Sequence, residues 1–345
     1  MDPDTEVDYD MSPYLIRYKS GRVHRLMGTR RVDAGTDAAT GVTSRDIVID
    51  VGTGLAARLH IPNDVLGTST KLPLLVYFHG GAFAVNSAFS TQYFRFLNAL
   101  VSAARAVAVS VDFSLAPEHP LPAAYDDAWA ALGWAVATAS CARASSGQEP
   151  WLAEHGDPAR LFIAGDSTGG NIAHNVAMRA GRSGLPGGTR IEGMVLLHPY
   201  FCGKELVPSE GAEPRRSLET EERWWAFVCA GRYGIDHPFI NPLAMPATEW
   251  VSLGCRRAMV TVAELDRMRD RGRRYVEALR ASAWAGDEAV LYEDQGERHV
   301  FFLSRSDGSG KTKQMIAAIA SFMASSNAQA LLGPSVPSLG CDAKL

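Results

Sequence analysis

Six apolar runs, most of them followed by a stretch of helical spacing, constrain this chain more than any other feature. They are LPLLVYFHG (72–80), AVAVSVDF (106–113), RLFIAGD (160–166), GMVLLHPY (193–200), AMVTVAELD (258–266) and AVLYEDQ (289–295). A strand that alternates apolar and polar residues has one wet face. A strand that is apolar almost throughout is buried on both faces, as in a parallel sheet covered by helices. Helical spacing follows at Thr91 to Ala104, Tyr125 to Ala139, Gly170 to Arg182, an Arg-rich stretch to about Ala283, and 311–326. Upstream, DIVIDV and LAARLHIP read as a hairpin turning at Gly52 and Gly54. The alternation implies an α/β fold with a mostly parallel central sheet flanked by helices.

Two segments fall outside this rhythm. Residues 1–42 are polar and irregular, and read as an arm against a catalytic body spanning 43–326. Within that body, about 201–257 hold no clear strand but carry Trp224, Trp225, Phe227, Pro238, Pro242 and Pro246. A stretch of that length reads as an insertion folded over the sheet edge. The tail, 327–345, is small and polar and is expected to be flexible.

Charge narrows the partners. The net charge is -4 and the pI about 6.1, so no basic excess exists to hold nucleic acid. The arginines at 267, 269, 271, 273 and 274 alternate with Asp266 and Asp270, as on a solvated helix face. Cys141, Cys202, Cys229, Cys255 and Cys341 form no CxxC pair, so neither a zinc site nor a disulfide framework is indicated. The acidic start MDPDTEVDYD resembles neither a secretory signal nor a transit peptide, and no apolar run is long enough for a membrane span. The expectation is a soluble cytoplasmic protein, monomer or homodimer, with no metal and no cofactor.

Chemistry concentrates at three places. Gly165-Asp166-Ser167-Thr168-Gly169 fits G-x-S-x-G, entered from the apolar strand LFIA and left by a helix. In that setting the serine sits on a tight turn with its hydroxyl exposed at the carboxyl edge of the sheet. His79-Gly80-Gly81-Ala82-Phe83 follows an earlier strand, where glycine N–H groups can face a developing oxyanion. The expected donors are Gly80, Gly81 and Thr168, with His79 bracing the loop. A serine hydroxyl needs a base, and the base needs a partner that holds its tautomer. Of His174, His198, His237 and His299, only His299 lies on a loop after a late strand. Asp266 ends the strand before that one and is the favoured acid. Glu264, two residues earlier, is the alternative, and Asp270 reads as a helix-start charge.

Longer segments carry a resemblance. YKSGRVHRL, GVTSRDIVID, HGGAF, SLAPEHPLPAAYDDAWAAL, GDSTGGNIAHNVAMR, HPYF, INP, AELDRMRDRG and HVFF resemble the hormone-sensitive-lipase-like branch of the α/β-hydrolases, and within it the plant carboxylesterases. The resemblance spans roughly 14–325. It implies Ser167 as nucleophile, Asp266 as acid, His299 as base, and Gly80, Gly81 and Thr168 as oxyanion donors. It also implies a cap formed by the N-terminal arm and part of 201–257, and a small-molecule ester as substrate. The chain departs from the family pattern at Ala82, where a third glycine is usual, at Thr168, usually alanine, and at Ser114, where YRLAPE has arginine. These departures bear on substrate range and rate, not on the reaction class. Two other roles share the fold: gibberellin receptors, which bind a hormone and lack the base histidine, and lyases that eliminate from the same kind of pocket.

Overall fold

The computed structural model describes residues 2–141, 149–211, 214–304 and 310–325. The expected flexible tail lies outside the described residues. In chain order the strands are β1 (Val7–Met11), β2 (Leu15–Tyr18), β3 (Val23–Arg25), β4 (Thr36–Asp37), β5 (Val42–Asp50), β6 (Leu55–Pro62), β7 (Leu72–Phe78), β8 (Val107–Asp112), β9 (Gly156–Asp166), β10 (Ile191–Leu197), β11 (Cys255–Ala263) and β12 (Glu288–Asp294). The helices are α1 (Thr91–Ala104), α2 (Ala123–Ala139), α3 (Pro150–His155), α4 (Thr168–Ser183), α5 (Pro214–Val228), α6 (Arg269–Ala281), α7 (Phe301–Ser304) and α8 (Gly310–Ala324).

Nine strands form one sheet in the order β12-β11-β10-β9-β7-β8-β6-β5-β4. The six apolar runs are its parallel part, and the β5–β6 hairpin joins β8 antiparallel. Every residue of β7 is buried. Leu74, Val76 and Phe78 feed the core on one face, shared with α2, α4 and α6. Leu75 and Tyr77 feed the other, shared with α1, α7 and α8. The period of two in side-chain direction thus fills two cores from one strand, and truncating a leucine such as Leu74 to alanine costs about 2–5 kcal/mol. The carboxyl ends of β7, β9, β10, β11 and β12 lie on one edge, where Phe78 pairs with Gly165, Leu197 with Asp166, and Ala263 with Asp294.

The arm differs from the irregular segment expected. β1, β2 and β3 form a separate antiparallel sheet. Its strands are too polar to show an apolar alternation. They are joined by the cross-strand ion pairs Arg17–Asp8 at 2.7 Å and Lys19–Glu6. Tyr9 packs on Phe227 with ring centres 5.4 Å apart, and Tyr14 on Trp224 at 4.9 Å. Both partners belong to α5, in the insertion, whose described residues otherwise form 3-10 turns and loop until β11 begins at Cys255. Cys202, Cys229 and Cys255 are buried free thiols. Among the described residues, no helix is long and apolar enough to cross a membrane.

Candidate active site

β9 runs straight into Ser167, and α4 starts at the next residue. Ser167 takes φ 52, ψ -118, outside the ordinary regions for a residue with a side chain. Such a conformation costs on the order of 1–3 kcal/mol and persists only when its surroundings enforce it. Here the Ser167 N–H donates to Leu197 O at 2.8 Å, and its carbonyl accepts from Tyr200 N–H at 2.9 Å. Gly169 lets the turn close: a Cβ there would lie 1.9 Å from Phe78 O.

The edge brings the predicted acid and base to the serine. His299 Nε2 lies 3.0 Å from Ser167 Oγ, and its Nδ1 lies 2.6 Å from Asp266 Oδ2. Asp266 is 3% exposed, and its other oxygen accepts the Met268 N–H at 2.9 Å. Burial pushes its carboxyl upward. The hydrogen bond and charge of His299, with the Met268 N–H, outweigh that and hold it below the usual carboxylate value. The acceptor stays ionised, as the partner of a base must.

The alternatives are engaged elsewhere. Glu264 accepts the Gly296 N–H at 2.6 Å and so secures the loop that leads to His299. Asp270 takes the Ser209 N–H at 2.9 Å and pairs with Arg269 at 2.8 Å. His174 is buried against Tyr275 Oη at 2.9 Å, and burial lowers it to about 3. His237 accepts the Phe239 N–H at 3.2 Å within the insertion. His198, Asp266 and His299 form a cluster of three potential metal ligands, their donor atoms within 4.8 Å of one another. The lone pairs that face each other there are already met by N–H groups, because Val300 N–H donates to His198 Nδ1 at 2.9 Å. Asp266, His299 and Ser167 form one continuous hydrogen-bonded chain, beside which His198 bonds the Val300 N–H.

The expected set of oxyanion donors requires one correction. The Gly80 N–H donates to Asp166 Oδ1 and to Tyr93 Oη, both at 2.9 Å, so it is not available to a substrate oxygen. Asp166 also accepts from Tyr77 Oη at 2.8 Å and Tyr93 Oη at 3.1 Å. Burial lifts its carboxyl to about 6 in spite of these donors. Among the described residues, no hydrogen bond takes the N–H of Gly81, Ala82 or Thr168. Gly81 has φ +128, and a Cβ there would lie 2.1 Å from Val85 O. His79 braces the loop as expected: it is buried, stacks on Phe113 at 4.2 Å, and hydrogen-bonds Gly80 O at 2.8 Å through Nδ1.

Two supports escaped the sequence. Asp166 was only the variable residue of G-x-S-x-G, although an acid between an apolar strand and a buried turn signals a satisfied network. Arg25, on β3, donates to Ala84 O at 2.8 Å and clasps Glu118 at 2.8 and 2.7 Å, tying the arm to the oxyanion loop.

Known proteins resemble this chain over most of its length. A family model described as alpha/beta hydrolase fold matches residues 75–303. The chain is 42% identical over 320 residues to 2-hydroxyisoflavanone dehydratase of Glycyrrhiza echinata, covering 92% of this chain and 96% of that one. It is 43% identical over 317 residues to tuliposide A-converting enzyme 1, chloroplastic, of Tulipa gesneriana, covering 92% and 78%. It is 40% identical over 329 residues to probable carboxylesterase 13 of Arabidopsis thaliana, covering 93% and 98%. Among solved structures, an esterase of Rhizomucor miehei superposes with a TM-score of 0.67 at 25% identity, each chain 82% covered. The thermostable esterase of Pseudomonas putida ECU1011 shares the fold, with a TM-score of 0.67 at 22% identity and 84% of each chain covered. The chain therefore belongs to the alpha/beta hydrolase fold family, among its carboxylesterase-like enzymes.

Proposed function

We propose that this chain hydrolyses small carboxylic esters through a serine acyl-enzyme. The observation that carries the proposal is the unbroken chain Asp266–His299–Ser167, with contacts of 2.6 and 3.0 Å. His299 Nε2 takes the Ser167 proton as Oγ bonds to the ester carbonyl carbon. The carbonyl oxygen becomes an oxyanion, held by the N–H groups of Gly81, Ala82 and Thr168; Ala82 takes the place first given to Gly80. The intermediate collapses, the C–O bond to the alcohol breaks, and His299 returns the proton to the departing alcohol. Water then repeats the sequence on the acyl-enzyme and releases the acid. Asp266 keeps the His299 proton on Nδ1 and supports the imidazolium.

The substrate is expected to be short or medium in its acyl part. Phe83, Tyr200 and Trp225 meet edge to face around the loop, with Phe83 ring centres 6.5 and 6.3 Å from the other two. A soluble cytoplasmic monomer or homodimer, without metal or cofactor, completes the proposal. A purely binding role has no use for a base 3.0 Å from the serine hydroxyl. Elimination is the second reading, favoured by the 42% identity to a protein named as a dehydratase. Hydrolysis of p-nitrophenyl acetate and butyrate, beside Ser167→Ala and His299→Ala, tests the first. Turnover lost in both variants supports it. Native protein as slow as the variants overturns it and turns attention to product analysis for elimination.

A further inference from the structure

The loop bearing His299 turns sharply immediately after it. Val300 has φ 45. For a β-branched residue this is a strained backbone that something must hold. The Val300 N–H donates to His198 Nδ1 at 2.9 Å. His198 comes from the end of β10, one strand away from the strand that carries the acid, and its own backbone N–H donates to Thr261 O of β11 at 2.9 Å. Its ring is buried, 6.0 Å from the His299 ring and 5.4 Å from Phe302 in an edge-to-face contact. An acceptor at Nδ1 means that the ring proton sits on Nε2.

We propose that His198 is a positioning residue for catalysis: its Nδ1 lone pair holds the peptide after His299 and so aims the His299 imidazole between Asp266 and Ser167. The proposal rests on the Asp266–His299–Ser167 reading. Fixing the 299–300 peptide fixes the backbone rotation that swings the His299 side chain. The 2.6 and 3.0 Å contacts on its two sides leave little room for that swing. The acceptor must also be permanently available. The charged neighbours of His198 are Asp266, whose Oδ2 lies 3.9 Å from its Nδ1, and His299. Burial, with the charge of His299, lowers the His198 imidazole to about 3 against the pull of Asp266, so it stays neutral and accepting. A neutral ring also adds no positive charge beside the imidazolium that forms on His299.

The test uses the full chain, p-nitrophenyl acetate, and the variants His198→Asn, His198→Gln and His198→Leu, with His299→Ala as control. An asparagine oxygen falls near the Nδ1 position; a glutamine amide reaches toward Nε2 instead, and leucine offers no acceptor. Misplacing a catalytic group by about 1 Å costs on the order of 100-fold, so the Gln and Leu variants are expected to lose about 10- to 100-fold in kcat with KM within about threefold. The Asn variant is expected to stay within about threefold of the native kcat. A thermal melt identifies folded protein. If the Leu variant does not fold, the two amides carry the comparison. Equal loss in Asn and Gln, no loss in Gln, or a loss confined to KM overturns the positioning role. Native-like activity in His299→Ala overturns the triad, and this proposal with it.

Discussion

Replacing Asp266 with asparagine exchanges one oxygen for an NH2 group and leaves the shape unchanged. The structure determines which oxygen is lost. Oδ1 accepts the Met268 N–H at 2.9 Å, and Oδ2 faces His299 Nδ1 at 2.6 Å. With its oxygen toward His299, the amide points NH2 at the Met268 N–H and leaves that buried donor unmet, at about 1–3 kcal/mol. The opposite orientation is therefore favoured about 5- to 150-fold. It points NH2 at Nδ1, forces the His299 proton onto Nε2, and removes the lone pair that must take the serine proton. Loss of the carboxylate charge weakens support of the imidazolium by about 1.5–3 kcal/mol, a further 10- to 150-fold. Together these give a fall of about 10²- to 10⁴-fold in kcat, with KM hardly changed. The assay is steady-state hydrolysis of p-nitrophenyl acetate, with Glu264→Gln as control. Asp266→Asn retaining more than about a tenth of native kcat, or Glu264→Gln losing as much as Asp266→Asn, would refute this account of the acid.

Three further outcomes follow from the loop and its supports. Gly81→Ala places a Cβ 2.1 Å from Val85 O at φ +128, so the oxyanion loop must move; kcat is expected to fall at least about 100-fold, and a native kcat would remove Gly81 from the site. Arg25→Ala loses the bond to Ala84 O; since Glu118 is 42% exposed, its ion pair adds little, and the expected fall in kcat is about 3- to 30-fold, read at saturating substrate. Asp166 has its carboxyl raised by burial from 3.8 to about 6, so the unfolded chain ionises first and stability drains away as pH rises from about 4 to about 6. That loss is on the order of 3 kcal/mol, and urea unfolding of Asp166→Asn should show a flatter slope across this window than the native protein; an unchanged slope would assign the dependence to other groups.

Most of the sheet was legible because its strands are buried on both faces, and burial writes itself as uninterrupted apolar sequence. LPLLVYF and LFIA became β7 and β9 for that reason. Ser167, Asp266 and His299 were legible as candidates because the apolar runs that became β9, β11 and β12 each lead into a short polar segment that holds one of them. The arm was not, because VDYDM owes its strand to partners elsewhere: Asp8 to Arg17, and Tyr9 to a ring more than two hundred residues away. Nor was the loss of Gly80 as a donor legible. Its N–H is taken by Asp166, across 86 residues, and nothing local to His-Gly-Gly marks that acceptor. Spacing identifies which glycines line a loop, but only the packed fold decides which of their N–H groups are left unspent.

The clasp made by Arg25 places one fastening under two structures. The same guanidinium holds the three-stranded arm against the body and grips the turn at Ala84 that follows Gly81. An arm pulled away from α5 therefore takes part of the catalytic loop's anchorage with it. A cut or a bulky group that lifts residues 7–25 is therefore expected to loosen the turn at Ala84 through Arg25. The arm lies more than a hundred residues before Ser167 in sequence, yet through Arg25 it bears on the loop that follows Gly81.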